Sequence, residues 1–355
     1  MIKLLHSADW HLDSPFTGRQ DALQLREQLL TVPERIAALG RKEHCQLLLL
    51  SGDIFDGQPT SRTLSLVKEI LGDLPVPVFI SPGNHDYASP DSPWLSGLWP
   101  GNVHIFTKPA VTSIPLPELD CRVYGGAFLS MDCPGLLEGF HAKQKETYAL
   151  GIFHGDPTNL RSPYCPVTRA QILNSGLNYL ALGHIHKGGQ LKAGKTLCAW
   201  PGCPMGRGYD EPDDKGVLLV SLDQETSAEF ISLGLPRFFD LFLDVDCDAG
   251  AALSKALPPV GSNDHYRITL TGTSEAIRLA QLQQKFSHFS SLELIDKTRL
   301  PLDLWRTAGE DNLEGMFFSL LRDSLDSQDS QDRRITLLAA EIARTILDDE
   351  EVHLP

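Results

Sequence analysis

The chain has no C-x-x-C pair and no regular cysteine spacing. Its seven cysteines are scattered and odd in number, which excludes a disulfide framework and fits thiols kept in a reducing compartment. No apolar stretch approaches the ~20 residues of a membrane span, so no membrane role is expected. The opening Met-Ile-Lys-Leu-Leu-His-Ser-Ala-Asp lacks the basic, apolar and small-residue order of a secretory signal, and a cytoplasmic location is expected. There is no internal repeat. There is also no basic footprint of the kind a nucleic-acid binder usually shows: the net charge is −15. Unaided high affinity for a long duplex does not follow from such a composition. Bound metal ions would add positive charge that a formal count misses, and the acidity is uneven, with −6 over residues 1–235 and −9 over residues 236–355. What remains is ordinary for a globular protein, 42% hydrophobic and 22% charged. A length of 355 residues exceeds one small core and fits two domains with an appendage.

Residues 1–235 alternate strand-like and helix-like segments. Lys3–Ser7, Gln46–Ser51, Val76–Ser81, Val103–Phe106, Val123–Ala127, Tyr148–Phe153 and Tyr179–Leu182 are mostly continuous apolar runs, as in sheets buried on both faces. Ala22, Leu25, Leu29 and Leu30 share one helical face. Pro33 suits the first turn of the next helix, and Leu64, Val67, Ile70 and Leu71 stripe a third. Past Gly188 the pattern turns to short strands, Thr196–Trp200, Val217–Leu222 and Ala228–Leu233, which suggests a second sheet. A boundary falls near Gly234-Leu235-Pro236. Residues 236–298 then read strand Phe238–Asp246, helix Ala249–Leu257, strand Tyr266–Thr271, helix Ser274–Phe286 and strand Leu292–Asp296, a small α+β domain. Residues 299–355 read as two apolar-striped helices, about 310–325 and 333–348. The polar segment 326–332 between them is expected to be a mobile link.

Five short blocks follow the strand-like runs: Asp9-Trp10-His11, Gly52-Asp53, Gly83-Asn84-His85-Asp86, His154-Gly155-Asp156 and Gly183-His184-Ile185-His186. Asp9 and His11, two apart, leave one face and grip one ion if the extended backbone persists. Gly52 permits a sharp turn before Asp53. Pro82 and Gly83 end a strand, so Asn84, His85 and Asp86 project from its carboxyl end, where α/β sheets bind ligands. The Asn84 amide oxygen is a hard ligand. His85 beside Asp86 reads as a base with its orienting carboxylate. Singly, each block also reads as a polar turn or a satisfied histidine; jointly, four strand ends carry ligand-type residues to one edge. Mixed oxygen and imidazole donors suit Mn²⁺, Fe²⁺ or Zn²⁺ better than Mg²⁺ or Ca²⁺, and two adjacent ions are a phosphoester-cleaving device. His6, His44, His104, His141, His265, His288 and His353 have no such context and read as ordinary. Arg161, Arg169, Arg207 and Lys215 lie in loops near the expected site, as holders of substrate phosphate or as solvated surface charge.

The ordered set D-x-H, G-D, G-N-H-D, H, G-H-x-H resembles the calcineurin-like metallophosphoesterase superfamily over about the first 190 residues. Ser7-Ala-Asp-Trp-His-Leu-Asp-Ser-Pro-Phe16, Gly52-Asp-Ile-Phe-Asp56, and Pro201-Gly-Cys-Pro-Met-Gly-Arg207 followed by Lys215-Gly-Val217 resemble its SbcD branch of bacterial DNA-repair exonuclease subunits. Asp13-Ser-Pro-Phe16 and the short length are most similar to the YhaO subgroup. The resemblance implies an α/β fold, a four-layer αββα sandwich as the nuclease domain over 1–235. It further implies a capping domain over 236–298 and a helical partner-binding region over 299–355. It implies two divalent ions, Mn²⁺ by family, one held by Asp9, His11, Asp53 and His186, the other by Asp53, Asn84, His154 and His184. His85, oriented by Asp86, would assist the leaving oxygen. The implied function is a Mn²⁺-dependent phosphodiesterase, the DNA exo/endonuclease subunit of a repair complex. Its partners would be DNA and an SbcC-like or YhaN-like coiled-coil ATPase, with a possible homodimer. A small-molecule phosphodiesterase and a non-enzymatic scaffold are the competing readings. Phe55-Asp56-Gly57-Gln58 lacks the Arg-Gly of the superfamily's protein phosphatases.

Overall fold

The computed structural model describes residues 1–19, 21–143, 145–245, 248–274, 276–289, 291–299, 303–325 and 330–348. Its strands are, in chain order, β1 (Ile2–Ser7), β2 (Leu47–Leu50), β3 (Val78–Ile80), β4 (Val103–Ile105), β5 (Thr112–Leu116), β6 (Cys121–Gly125), β7 (Tyr148–His154), β8 (Tyr179–Gly183), β9 (Lys187–Ala193), β10 (Thr196–Gly202), β11 (Gly216–Leu222), β12 (Ser227–Ser232), β13 (Phe238–Asp244), β14 (His265–Thr271) and β15 (Ser291–Asp296). Its helices are α1 (Ala22–Leu29), α2 (Val32–Lys42), α3 (Ser61–Gly72), α4 (Pro93–Ser96), α5 (Arg169–Asn174), α6 (Ala249–Ala256), α7 (Leu279–Lys285), α8 (Leu313–Ser324) and α9 (Ser330–Leu347). By internal contacts they form two units, Met1–Asp240 with Asn263–Tyr266, and Leu241–Ser262 with Arg267–Pro355.

The first unit holds two six-stranded sheets, ordered β12-β11-β1-β2-β3-β4 and β5-β6-β7-β8-β10-β9. The strands β1 to β4 are mutually parallel, as are β6, β7, β8 and β10. Antiparallel strands extend the first sheet beyond β1 and flank the second on both sides. Side-chain alternation sorts the apolar residues into layers. In β2, Leu47 and Leu49 join Leu4, Phe79, Val123, Ile152 and Ala181 between the sheets. Leu48 and Leu50 of the same strand face Leu25, Leu29, Ile36, Val67 and Leu71 of α1 to α3. On the far side, Phe153, Leu180 and Leu182 pack against Phe128, Ile172 and Leu177. The layer order is therefore αββα. All four leucines of β2 are buried, each stabilising by ~1.5–3 kcal/mol. Asp13 ties the loop after β1 to the start of α3, accepting from the Thr60 amide at 2.6 Å and the Thr63 hydroxyl at 2.7 Å.

The second unit contains α6, α7, the outer part of the three-stranded sheet β13-β14-β15, and α8 packed on α9. The βαβαβ order is the expected one; β13, α6 and α7 are shorter than expected, and β14 and β15 each begin one residue earlier. The helix expected over Ser274–Phe286 is α7, which begins only at Leu279. The segment expected as a mobile link divides: Ser330 to Asp332 already form the first turn of α9, while residues 326–329 lie outside the described residues, as do Asp246 and His353. Among the described residues no helix is long and apolar enough to cross a membrane.

Candidate metal centre

Parallel strands from both sheets deliver the five blocks to one edge. Asp9 and His11 follow β1, Asp53 follows β2, Asn84 and His85 follow β3, His154 ends β7, and His184 and His186 lie between β8 and β9. The loops after β1 and β2 are zipped together: the Asp9 amide donates to the Gly52 carbonyl at 3.0 Å and the His11 amide to that of Asp53 at 2.9 Å. The backbone there is not extended, contrary to the sequence expectation. Asp9, His11, Asp53 and His184 have φ of 54°, 47°, 52° and 91°, left-handed conformations costing on the order of 1–3 kcal/mol each. Gly52 is itself left-handed, and a Cβ on it would lie 2.5 Å from His154 Nδ1. Only glycine lets His154 approach.

Asp53 sits in the middle. Its Oδ1 accepts from the His85 amide at 2.9 Å. Its Oδ2 lies 3.4 Å from His154 Nε2 and 3.8 Å from His11 Nε2. On one side, ligand atoms of Asp9, His11 and His186 lie within 4.8 Å of one another, with His11 Nε2 and His186 Nε2 3.0 Å apart. On the other, the Asn84 Oδ1 is 2.9 Å from His154 Nε2 and 3.2 Å from His184 Nδ1. Two nitrogen-and-oxygen nests thus share one carboxylate. Two imidazole nitrogens 3.0 Å apart and facing each other, beside the Asp9 and Asp53 carboxylates, fit a shared cation better than a hydrogen bond.

The electrostatics agree. Burial opposes charge on His154, but Asp53 and Asp9 raise its pKa to about 10, and each ring nitrogen faces an acceptor, the Ser51 carbonyl or Asn84. Burial likewise opposes ionisation of Asp53, yet His154 and His11 hold it below the usual carboxylate range. Burial and the charge on His154 push His184 down to about 4. A proton on His154 would compete with a cation bound beside Asp53, since metal binding releases such protons.

Residues 2–188 match the calcineurin-like phosphoesterase model, more than half of the chain. The chain belongs to the calcineurin-like phosphoesterase family. It is 30% identical over 245 residues to the uncharacterized metallophosphoesterase YhaO of Bacillus subtilis, covering 64% of this chain and 60% of that protein. Over 255 residues it is 23% identical to the SbcD component of the nuclease SbcCD of the same organism, covering 59% and 63%. Over 201 residues it is 27% identical to the DNA double-strand break repair protein Mre11 of Saccharolobus solfataricus, covering 52% and 50%. The chain spans less than two thirds of the length of each of these relatives.

Two carboxylates of this family member escaped the sequence reading, and one was misassigned. Asp86 does not orient His85. Neighbouring side chains diverge, and the Asp86 carboxylate turns inward to accept from the amides of Ile54 at 2.7 Å, Gly83 at 2.8 Å and Phe55 at 3.2 Å. Burial and the charge of Asp53 push its pKa up to about 7. The partner of His85 is Asp56, whose Oδ1 lies 2.8 Å from His85 Nδ1 and whose hydrogen bond raises the His85 pKa. The second missed carboxylate is Glu211, 2.6 Å from His186 Nδ1. Arg207 and Lys215 reach the centre: Arg207 Nη2 lies 3.2 Å from His186 Nδ1, and Lys215 Nζ donates to the His186 carbonyl at 3.4 Å. Arg161 and Arg169 are exposed and have no described contact with it. A cavity of about 320 Å³ opens beside Asp56 and Arg207, with Ser14, Thr17 and Arg19 in its wall.

Proposed function

We propose that this chain is a Mn²⁺-dependent, two-metal phosphodiesterase acting on DNA in the cytoplasm, the nuclease subunit of a repair complex. The observation that carries the reading is the Asp53 carboxylate shared between two nests of histidine, aspartate and asparagine. Asp9, His11, Asp53 and His186 would hold one ion, and Asp53, Asn84, His154 and His184 the other. Bound there, two divalent ions supply Lewis-acid activation of a water and charge neutralisation at phosphorus. The chain supplies the rest. Asp56 Oδ1, 2.8 Å from His85 Nδ1, orients that ring at the solvent side of the site, where a proton on its other nitrogen would be donated to the leaving oxygen, a contribution of ~10²–10⁴-fold. Arg207, in the cavity wall, and Lys215, against the His186 carbonyl, bind phosphate oxygens. The relatives named as part of a nuclease and as a double-strand break repair protein support DNA as substrate. An ATPase partner supplying basic surface reconciles that substrate with a net charge of −15.

The test is one panel with Mn²⁺: linear duplex, single-stranded DNA, a cyclic nucleotide and a chromogenic diester. Cleavage of DNA is expected. His85→Ala should keep metal and lose ~10²–10⁴-fold in turnover, and His184→Ala should lose metal and turnover together. Hydrolysis of the cyclic nucleotide with both DNAs intact would replace this reading by the small-molecule one.

A further inference from the structure

Each imidazole of the centre needs its lone pair facing inward, and its other nitrogen decides that. For His154 the decision is made by backbone, through the Ser51 carbonyl at 2.9 Å. For His186 it rests on one side chain. Glu211 Oε1 lies 2.6 Å from His186 Nδ1, and a proton donated there leaves the Nε2 lone pair toward His11 and Asp9.

Glu211 is itself held from three directions. The Arg207 amide donates to its Oε2 at 2.8 Å, the Arg207 guanidinium to its Oε1 at 3.2 Å, and the Cys203 thiol to its Oε2 at 3.7 Å. Its side chain is only 10% exposed. The His186 ring and the Arg207 guanidinium both face this carboxylate. Arg207 Nη2 is also 3.2 Å from His186 Nδ1, and two N–H groups cannot bond to each other. Without an acceptor between them, the guanidinium would donate to Nδ1 and drive the ring proton to Nε2, into the metal position.

We propose that Glu211 is a positioning residue that fixes the His186 tautomer against Arg207 and so sets occupancy of the Asp9–His11–His186 half of the centre. The inference rests on the two-metal reading above. His186, Cys203 and Glu211 also bring ligand atoms within 4.8 Å of one another. Cys203 Sγ lies 3.7 Å from both Glu211 Oε2 and the His186 carbonyl, the geometry of a thiol donating to these acceptors.

The experiment titrates the metal-free protein with Mn²⁺, following free Mn²⁺ by electron paramagnetic resonance. Histidine tautomers are read in parallel by ¹⁵N NMR. Wild type should take two ions and show His186 as the Nδ1–H tautomer. Glu211→Gln should weaken one ion ~10–100-fold, leave the other unchanged and move the proton to Nε2. Removing the competitor as well, Glu211→Gln with Arg207→Met, should restore part of the affinity. Glu211→Asp, which keeps the charge, should fall between, and serves if the glutamine variant does not fold. Two ions of unchanged affinity in Glu211→Gln, equal loss of both, or a third ion in wild type that disappears with Glu211 would each overturn the proposal. A wild type that binds no ion would sink the two-metal reading itself.

Discussion

His6 shows what a residue without a motif does. It is wholly buried between the sheets, with Nδ1 2.8 Å from the Tyr179 hydroxyl and Nε2 2.7 Å from the Ser51 hydroxyl. Burial pushes its pKa down to about 3, against ~6.5 in an unfolded chain. Between those values the unfolded state binds the extra proton, so stability is full above about pH 6.5 and falls as pH drops toward 3. The thermal midpoint of wild type should therefore fall between pH 7.5 and pH 5, and His6→Asn should show a shallower slope. Equal slopes would remove His6 from the acid response. The same scale shows where sequence reading stops. Asp9, His11, Asp53, Asn84, His154, His184 and His186 were legible because each follows an apolar run. Asp56 and Glu211 follow none, since their partners lie 29 and 25 residues away in the chain. Adjacency misled at His85-Asp86, where successive side chains part.

Among the elements, β2, β7 and β8 were readable as continuous apolar runs because both their faces are covered. β9 was not. Lys187-Gly-Gly-Gln-Leu-Lys-Ala193 is a sheet edge, mostly solvent-facing, and carries no apolar signature. β5 was hidden for a like reason, with only partial burial and Pro115 inside it. In the tail the apolar stripes were legible but their packing was not. Leu313, Met316, Leu320, Ile335 and Ile346 stay exposed, whereas Arg344 is fully buried between α8 and α9. It pairs with Glu314 at 2.5 Å, donates to the Thr307 hydroxyl at 2.7 Å and lies over the Phe318 ring at 3.9 Å. Arg344→Met should speed amide hydrogen exchange in α8 and α9 about tenfold, the factor of one lost charge-assisted bond. Amides of β1 to β8 should be unaffected. Unchanged exchange in the two helices would show that Arg344 is no staple.

At the scale of the molecule, the catalytic chemistry and the exposed tail stripes belong to different contact units. Truncation at about residue 305 should abolish co-purification with a coiled-coil ATPase partner while cleavage of a small diester persists. A truncated chain that still co-purifies would move the docking surface elsewhere. The centre, by contrast, draws on both sheets of one unit: the first gives Asp9, His11, Asp53 and Asn84, and the second His154 and His184. A ligand that binds only where the two sheets meet acts as a rivet across their seam. It contributes ~2.7 kcal/mol when present at a hundred times its dissociation constant. The folded fraction of the phosphoesterase unit is thereby tied to the free metal level of its surroundings, so that metal starvation would expose the chain to proteolysis as well as silence it.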